Sequence, residues 1–326
     1  MLTLAPFDTT FFEDAIHIWN AASHPDYSIN QRLISYNFTP CTNETIEGRI
    51  ALQRGKPVGF ILVCVVLGGA LGWVSLIAVH PSAQKQGIAS SLLTWAEIWI
   101  KEQGCKRIRI GGNFRPFLPG LPYVMREHAA FFEKHGYQES ARQPYEYDIA
   151  RSLKDYQPRY KEAAVNQPVP IHLPDSYPFI SPMQSGEESL MLNFFHREYP
   201  GRWEFEAQEF VKNNGRASDY LLLRVNNEVH GFCRLTLSDS ERPIERFYPQ
   251  RLPQPWGQFG PLGLSRSARG HGIGGYLIDV AALHMHSLGV DGCVIDWTSM
   301  VDFYGKFGFK VYNQYISFFK VISESL

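Results

Sequence analysis

The sequence lacks an excess of charge of either sign. Its 326 residues contain 31 Lys and Arg against 32 Asp and Glu, so the formal net charge is −1. Such a chain has no global field that would hold a polyanion, and we expect neither nucleic acid nor an acidic membrane surface as a partner. Cysteine is also scarce. The five cysteines are an odd number, and no two of them have C-x-x-C spacing. This argues against a disulfide framework and a zinc ribbon and favours reduced, buried thiols.

Signals for export and membrane insertion are missing as well. The N-terminus, MLTLAPFDTTFFED, has no basic region followed by an apolar core and therefore predicts no signal peptide. Residues 59–79 carry no charge over a length that could span a bilayer, but Gly68, Gly69 and Gly72 interrupt the run. Both sides of these glycines are rich in Val, Ile and Leu, which predicts two buried strands joined by a tight turn. We therefore expect a soluble, cytoplasmic chain without a membrane partner.

A repeat within the sequence predicts two domains, as the length of the chain also does. An apolar strand, a glycine turn and a helix occur twice, with Gly87 and Gly272 opening the two helices. The apolar stripes of the two helices coincide: Ile88, Leu92, Leu93, Ala96 and Ile100 match Ile273, Leu277, Ile278, Ala281 and Met285. Paired markers lie 172 to 185 residues apart. We predict domains at 1–155 and 178–326, joined by an exposed, proline-rich linker at 156–177.

Each half reads as strand, one or two helices, two or three antiparallel strands, glycine turn, helix, strand, helix and strand. This order predicts an α+β fold, in which a mixed, mostly antiparallel sheet is flanked by helices in an α/β three-layer arrangement.

The segment RGHGIGG raises the alternative of a dinucleotide-binding turn, because Gly270, Gly272 and Gly275 satisfy G-x-G-x-x-G. Three observations argue against it. The turn follows several elements instead of the first strand of a unit, and Asp291 lies before the strand CVIDW and not at its end. The matching copy QKQGIA has one glycine at the same place. A P-loop is excluded, since no G-x-x-x-x-G-K-[ST] occurs.

Both glycine turns resemble the central motif of the GNAT-type N-acetyltransferase superfamily, a strand followed by Q/R-x-x-G-x-G/A and a helix. The motif is filled twice, by Gln84, Gly87 and Ala89 and by Arg269, Gly272 and Gly274. The later FYGKFGF resembles the second motif of the family. The chain is therefore similar to a tandem GNAT protein. The resemblance implies acetyl-CoA as cosubstrate, a primary amine of a small molecule or peptide as acceptor, direct attack of that amine, and no metal.

The resemblance also implies where coenzyme A binds. Its pyrophosphate would lie over a glycine turn, held by backbone N–H groups and the helix dipole, and its pantetheine would pair with the preceding strand. A strand N–H could polarise the thioester carbonyl. The implied residues are Ile77, Ala78, Val79, Gln84, Lys85, Gln86, Gly87, Ile88, Ala89 and Ser90 in the first half, and Leu262, Gly263, Leu264, Arg269, Gly270, His271, Gly272, Ile273, Gly274 and Gly275 in the second.

One tyrosine distinguishes the two halves. In the family, a tyrosine of the second motif often protonates the leaving thiolate, and Tyr304 occupies that place where the first half has Phe132. A phenol can donate this proton and a phenyl ring cannot. We therefore predict that the second half is catalytic and that the first binds coenzyme A or serves as scaffold. A non-catalytic coenzyme A-binding or interaction module is the alternative.

Other predictions follow from approximate location alone. Glu245, Asp296 and Asp302 are candidates for the general base, and the sequence does not choose between them. The first half has an insertion, NFRPFLPGLPYVMREHAA, which we expect near the acceptor. The sequence specifies neither the acceptor nor whether the chain is a monomer or a homodimer.

Overall fold

The computed structural model describes residues 2–171 and 178–322. Within these ranges the strands are β1 (Leu2–Pro6), β2 (Glu44–Gln53), β3 (Lys56–Val66), β4 (Leu71–Val79), β5 (Arg107–Ile110), β6 (Leu121–Pro122), β7 (Gln138–Glu139), β8 (Tyr145–Ser152), β9 (Gln167–Pro168), β10 (Phe179–Pro182), β11 (Tyr220–Val225), β12 (Glu228–Thr236), β13 (Trp256–Leu264), β14 (Gly292–Thr298), β15 (Lys310–Ile316) and β16 (Phe318–Val321). The α-helices are α1 (Phe12–Ala22), α2 (Gln31–Phe38), α3 (Ile88–Glu102), α4 (Ala129–Lys134), α5 (Glu188–Glu198), α6 (Arg202–Lys212), α7 (Ile273–Ser287) and α8 (Val301–Gly305).

The chain divides into two compact units. Unit 1 comprises Met1–Tyr147 with Asn313–Leu326, and unit 2 comprises Asp148–Tyr312. Each unit therefore contains a segment that the predicted division placed with the other half of the sequence. Of the predicted linker, residues 172–177 lie outside the described residues, as do residues 323–326 of the predicted second domain.

Unit 1 is built on a mixed sheet with the strand order β1-β2-β3-β4-β5-β16-β7. Neighbouring strands run antiparallel except for β4 and β5, which are parallel. The uncharged run at 59–79 lies within β3, a short turn and β4, which confirms the prediction of two strands. Among the described residues, no helix has the length and apolar character needed to cross a membrane. Helix α3 packs against β3 and β4 through the five apolar positions of its predicted stripe, all buried.

Unit 2 repeats this arrangement. Its sheet has the order β15-β8-β14-β13-β12-β11-β10-β9, with β13 and β14 parallel, and parts of β8 and β15 belong to it. Helix α7 packs against β12 and β13, and the five apolar positions predicted for it are buried. The two mixed, mostly antiparallel sheets with flanking helices confirm the predicted fold class. All five cysteines are buried and free, as expected.

The linker was predicted to be an exposed connection, and its described part is largely exposed except for three buried side chains, those of Tyr156, Ala163 and Val169. Tyr156 is 7% exposed and Ala163 5%. The Tyr156 hydroxyl donates to the carboxylate of Asp279, a fully buried residue of α7, and the N–H of Tyr160 donates to the same carboxylate at 2.8 Å. A buried carboxylate requires such donors. The prolines therefore predicted an irregular backbone but not its packing.

Candidate active site

A gap opens in the unit 1 sheet between β4 and β5. The parallel ladder runs from Leu71 opposite Arg107 to Val74 opposite Ile110, where the described pairing ends. On its other edge β4 carries one extra residue, Ser75, because Leu62 pairs with Leu76 while Val63 pairs with Val74. Such a bulge increases the local twist and bends the strand. The second half of β4 therefore departs from β5 and presents main-chain groups to the gap.

A glycine turn connects β4 to α3. The Gln84 side-chain amide donates to the carbonyl of Val79 at 3.0 Å and so holds the turn against the end of the strand. Gly87 is the N-cap of α3 with φ at +81°, a conformation that favours glycine, and no heavy atom lies within 4 Å of the position its Cβ would take. The first N–H groups of a helix have no partner within the helix. The turn is thus an open donor surface at the positive end of the helix dipole.

A cavity of about 440 Å³ occupies the gap and extends to this turn. Most of the predicted first-half residues line it, namely Ile77, Ala78, Val79, Gln84, Lys85, Gly87, Ile88, Ala89 and Ser90. Gln86 does not line it, and its side chain instead accepts a hydrogen bond from Gln53 at 2.9 Å. The structure therefore brings nine of the ten predicted first-half residues together around one cavity.

The remaining wall contains residues that sequence reasoning did not assign. Trp19 and Ser23 come from the α1 region, and Met125 and His128 come from the first-half insertion. The length difference between the halves led us to expect the insertion near the acceptor, which stays a prediction, and no motif marked these four residues. Phe132 also lines the cavity, at the place where the second half has Tyr304.

The glycine turn of unit 2 has the same backbone. Gly272 is the N-cap of α7 with φ at +84°, and Arg269 Nε donates to the carbonyl of Leu264 at 3.1 Å, as Gln84 does to Val79 in unit 1. The sequence motif therefore predicted two turns that share the N-cap conformation and the side-chain hydrogen bond to the end of the strand.

The two turns differ in exposure, because a side chain covers the N-cap glycine in unit 2 but not in unit 1. In unit 2 the Tyr160 hydroxyl lies 3.2 Å from the position that a Gly272 Cβ would take and donates to the Gly272 carbonyl at 3.3 Å. The ring of Tyr160 lies 3.3 Å from the corresponding position at Gly275 and packs edge-on against Tyr276. A side chain of the linker therefore occupies the open side of the unit 2 turn.

Side chains also engage the carbonyls of β13. The Tyr199 hydroxyl donates to the carbonyl of Leu264 at 2.6 Å. Further along the strand, the buried guanidinium of Arg242 and the Gln258 amide each donate to the carbonyl of Gly260 at 3.1 Å. These carbonyls lie on the strand that the family resemblance assigns to pantetheine.

Tyr304 lies in unit 2 and is 7% exposed, with its ring 5.2 Å from that of Phe303. Burial raises the pKa of Tyr304 well above its usual range, and the nearby thiol of Cys233 and carboxylate of Asp296 act in the same direction. Asp296 accepts a hydrogen bond from the Gln258 amide at 2.6 Å. Tyr304 and the candidate base Asp296 therefore lie close enough to interact electrostatically, and neither residue lines the unit 1 cavity.

Family models match both halves of the chain. One described as "Acetyltransferase (GNAT) domain" matches residues 47–139, and one described as "Acetyltransferase (GNAT) family" matches residues 189–309. Together the two matches cover about two thirds of the chain. A search of curated proteins finds no match.

Several solved structures share the fold. A GCN5-related glucosamine N-acetyltransferase region of a fungal multi-domain GH3 beta-N-acetylglucosaminidase is 22% identical with a TM-score of 0.83, and the match covers 98% of this chain and 38% of that one. A tandem GNAT protein from the clavulanic acid biosynthesis pathway is 15% identical with a TM-score of 0.67 over 100% of both chains. A GCN5-related N-acetyltransferase from Sphaerobacter thermophilus is 16% identical with a TM-score of 0.67, covering 100% of this chain and 97% of that one.

Proposed function

Because the chain belongs to the GNAT acetyltransferase family and carries two of its domains in tandem, we propose that it transfers acetyl from acetyl-CoA to an amine, with acetyl-CoA bound in unit 1. The observation that carries this proposal is the unit 1 cavity, which joins the bulged strand β4 to an open glycine turn. Both features are needed to hold a long, phosphorylated thioester.

Each part of the cavity has a task in this proposal. Gly87 and Ala89 lie at the N-terminus of α3, where N–H groups and the helix dipole would hold the pyrophosphate, and Lys85 adds a cation beside them. The second half of β4 pairs with β3 but not with β5, and its edge on the β5 side would hydrogen-bond the pantetheine. Near the bulge at Ser75, a strand N–H would polarise the thioester carbonyl and stabilise the oxyanion that forms when the amine attacks.

The filled turn of unit 2 supports the choice of unit 1. Tyr160 covers Gly272 and Gly275 of the turn to which the resemblance would assign the pyrophosphate, and its backbone N–H donates to the buried carboxylate of Asp279. That Tyr304 is the acid of a unit 2 site stays a prediction. Substitution of Tyr304 tests it separately from coenzyme A binding in unit 1.

Binding stoichiometry tests the assignment. Titration calorimetry with acetyl-CoA should give one site per chain in the wild type. Tyr160→Ala removes the ring over the unit 2 turn and should add a second, weaker site, whereas the control Tyr160→Phe keeps the ring and should retain one. Two sites in the wild type would contradict the proposal that Tyr160 closes this turn.

The acceptor is tested with an amine panel. A protein of similar fold is described as a glucosamine N-acetyltransferase region, so glucosamine heads the panel, followed by small primary amines, peptides with a free N-terminus and lysine. Release of the coenzyme A thiol that depends on one of these amines, with the acetylated product detected by mass spectrometry, is the expected result. Binding of acetyl-CoA without thiol release for any amine would favour a non-catalytic coenzyme A-binding module.

A further inference from the structure

The unit 1 cavity has a phenyl ring at the place that Tyr304 occupies in the second half. Phe132 is 5% exposed and packs against Phe131 at 5.3 Å and Phe318 at 5.8 Å between ring centroids. A phenyl ring transfers no proton. Acetyl transfer nevertheless removes one proton from the attacking nitrogen and gives one to the departing sulfur, so another group has to carry it.

Most polar side chains around the cavity are poorly suited to this task. The Ser75 hydroxyl donates to the Cys64 sulfur at 3.6 Å, and the Ser90 hydroxyl shares a 3.1 Å hydrogen bond with a ring nitrogen of His135. Serine hydroxyls and the Gln84 amide do not ionise near neutral pH. Lys85 belongs to the glycine turn, at the end of the cavity proposed for the pyrophosphate.

His128 differs from all of these. Imidazole is the side chain that both accepts and donates a proton near neutral pH. His128 ends the short 3₁₀-helix Tyr123–His128, directly before α4, and lies four residues before Phe132. Residues one helical turn apart share a face, and both side chains line the cavity. The His128 side chain is 43% exposed, so a bound acceptor can reach it.

We propose that His128 is the proton-transfer residue of the unit 1 site, an inference that rests on the proposed function. As the bond between the amine nitrogen and the acetyl carbon forms, a ring nitrogen of His128 accepts the proton from that nitrogen. As the bond between carbon and sulfur breaks, His128 gives this proton to the sulfur. The exchange yields an amide and free coenzyme A, needs no further reactant, and returns His128 to its starting state.

The test compares turnover with binding. General acid–base groups contribute about 10²- to 10⁴-fold to a rate, so His128→Gln should lower kcat with the best amine by about 10²-fold or more while acetyl-CoA affinity and melting temperature are retained. Added imidazole should restore part of the turnover of His128→Ala. His17→Ala is the matched control, because His17 lies on α1 of the same unit and does not line the cavity.

Two results would overturn the proposal: full turnover in His128→Gln, or a loss of turnover that matches a loss of acetyl-CoA binding and is not restored by imidazole. Absence of turnover in the wild type with every amine would overturn the proposed function itself, and the role of His128 with it.

Discussion

Ala89 is the position where one substitution separates folding from coenzyme A binding. It is the second residue of α3 and lines the unit 1 cavity. An aspartate in the first turn of a helix is favourable by about 0.3–1 kcal/mol, so Ala89→Asp should fold. A carboxylate about 5 Å from one phosphate charge, at an effective dielectric constant of about 20, costs roughly 3 kcal/mol. This corresponds to a loss of about 100-fold in acetyl-CoA affinity.

The chain offers a matched control in unit 2. Gly274 is the second residue of α7, and a Cβ there would meet Leu264 at 3.6 Å and Phe303 at 3.9 Å, which is ordinary contact. Calorimetric titration should show the loss in Ala89→Asp, with the melting temperature retained, and wild-type affinity in Gly274→Asp. Loss in Gly274→Asp alone would refute the assignment to unit 1, and loss in neither variant would refute pyrophosphate binding at the α3 terminus.

Two further predictions concern titratable groups. If the active site lies in unit 1, Tyr304→Phe should retain turnover, measured as amine-dependent release of the coenzyme A thiol. A large fall in kcat would instead support Tyr304 as the acid predicted from the sequence. Burial raises the pKa of the Glu44 carboxyl above its usual 4.5. The folded chain therefore holds the carboxyl proton more tightly than the unfolded chain. The stability that this group contributes is lost as pH rises from 4.5 towards the raised value. Denaturant unfolding across this range should show a weaker fall in stability for Glu44→Gln, and an identical pH dependence in both proteins would contradict the reasoning.

The sequence predicted the elements that depend on local patterns. The stripe from Ile88 to Ile100 specified the buried face of α3, and the position of Gly87 specified a turn that needs a left-handed residue. Short-range periodicity and backbone conformation determine both features. The motif therefore predicted nearly all of the first-half residues that line the unit 1 cavity.

The parts that were missed depend on contacts between residues distant in sequence. Tyr160 reaches Gly272 across 112 residues, and β16 pairs with β5 so that Phe319 lies opposite Arg109. Neither contact leaves a periodic signal. His128 lies in an insertion whose length predicted a position near the acceptor but not which side chain faces the cavity. The state of each glycine turn, open or covered, is likewise a tertiary property.

The most direct test of the account is a crystal structure of the full chain grown with coenzyme A. The account predicts density for pantetheine along β4 and for the pyrophosphate at the N-terminus of α3, with Tyr160 still over Gly272. Coenzyme A density over residues 269–275, with Tyr160 displaced, would contradict it.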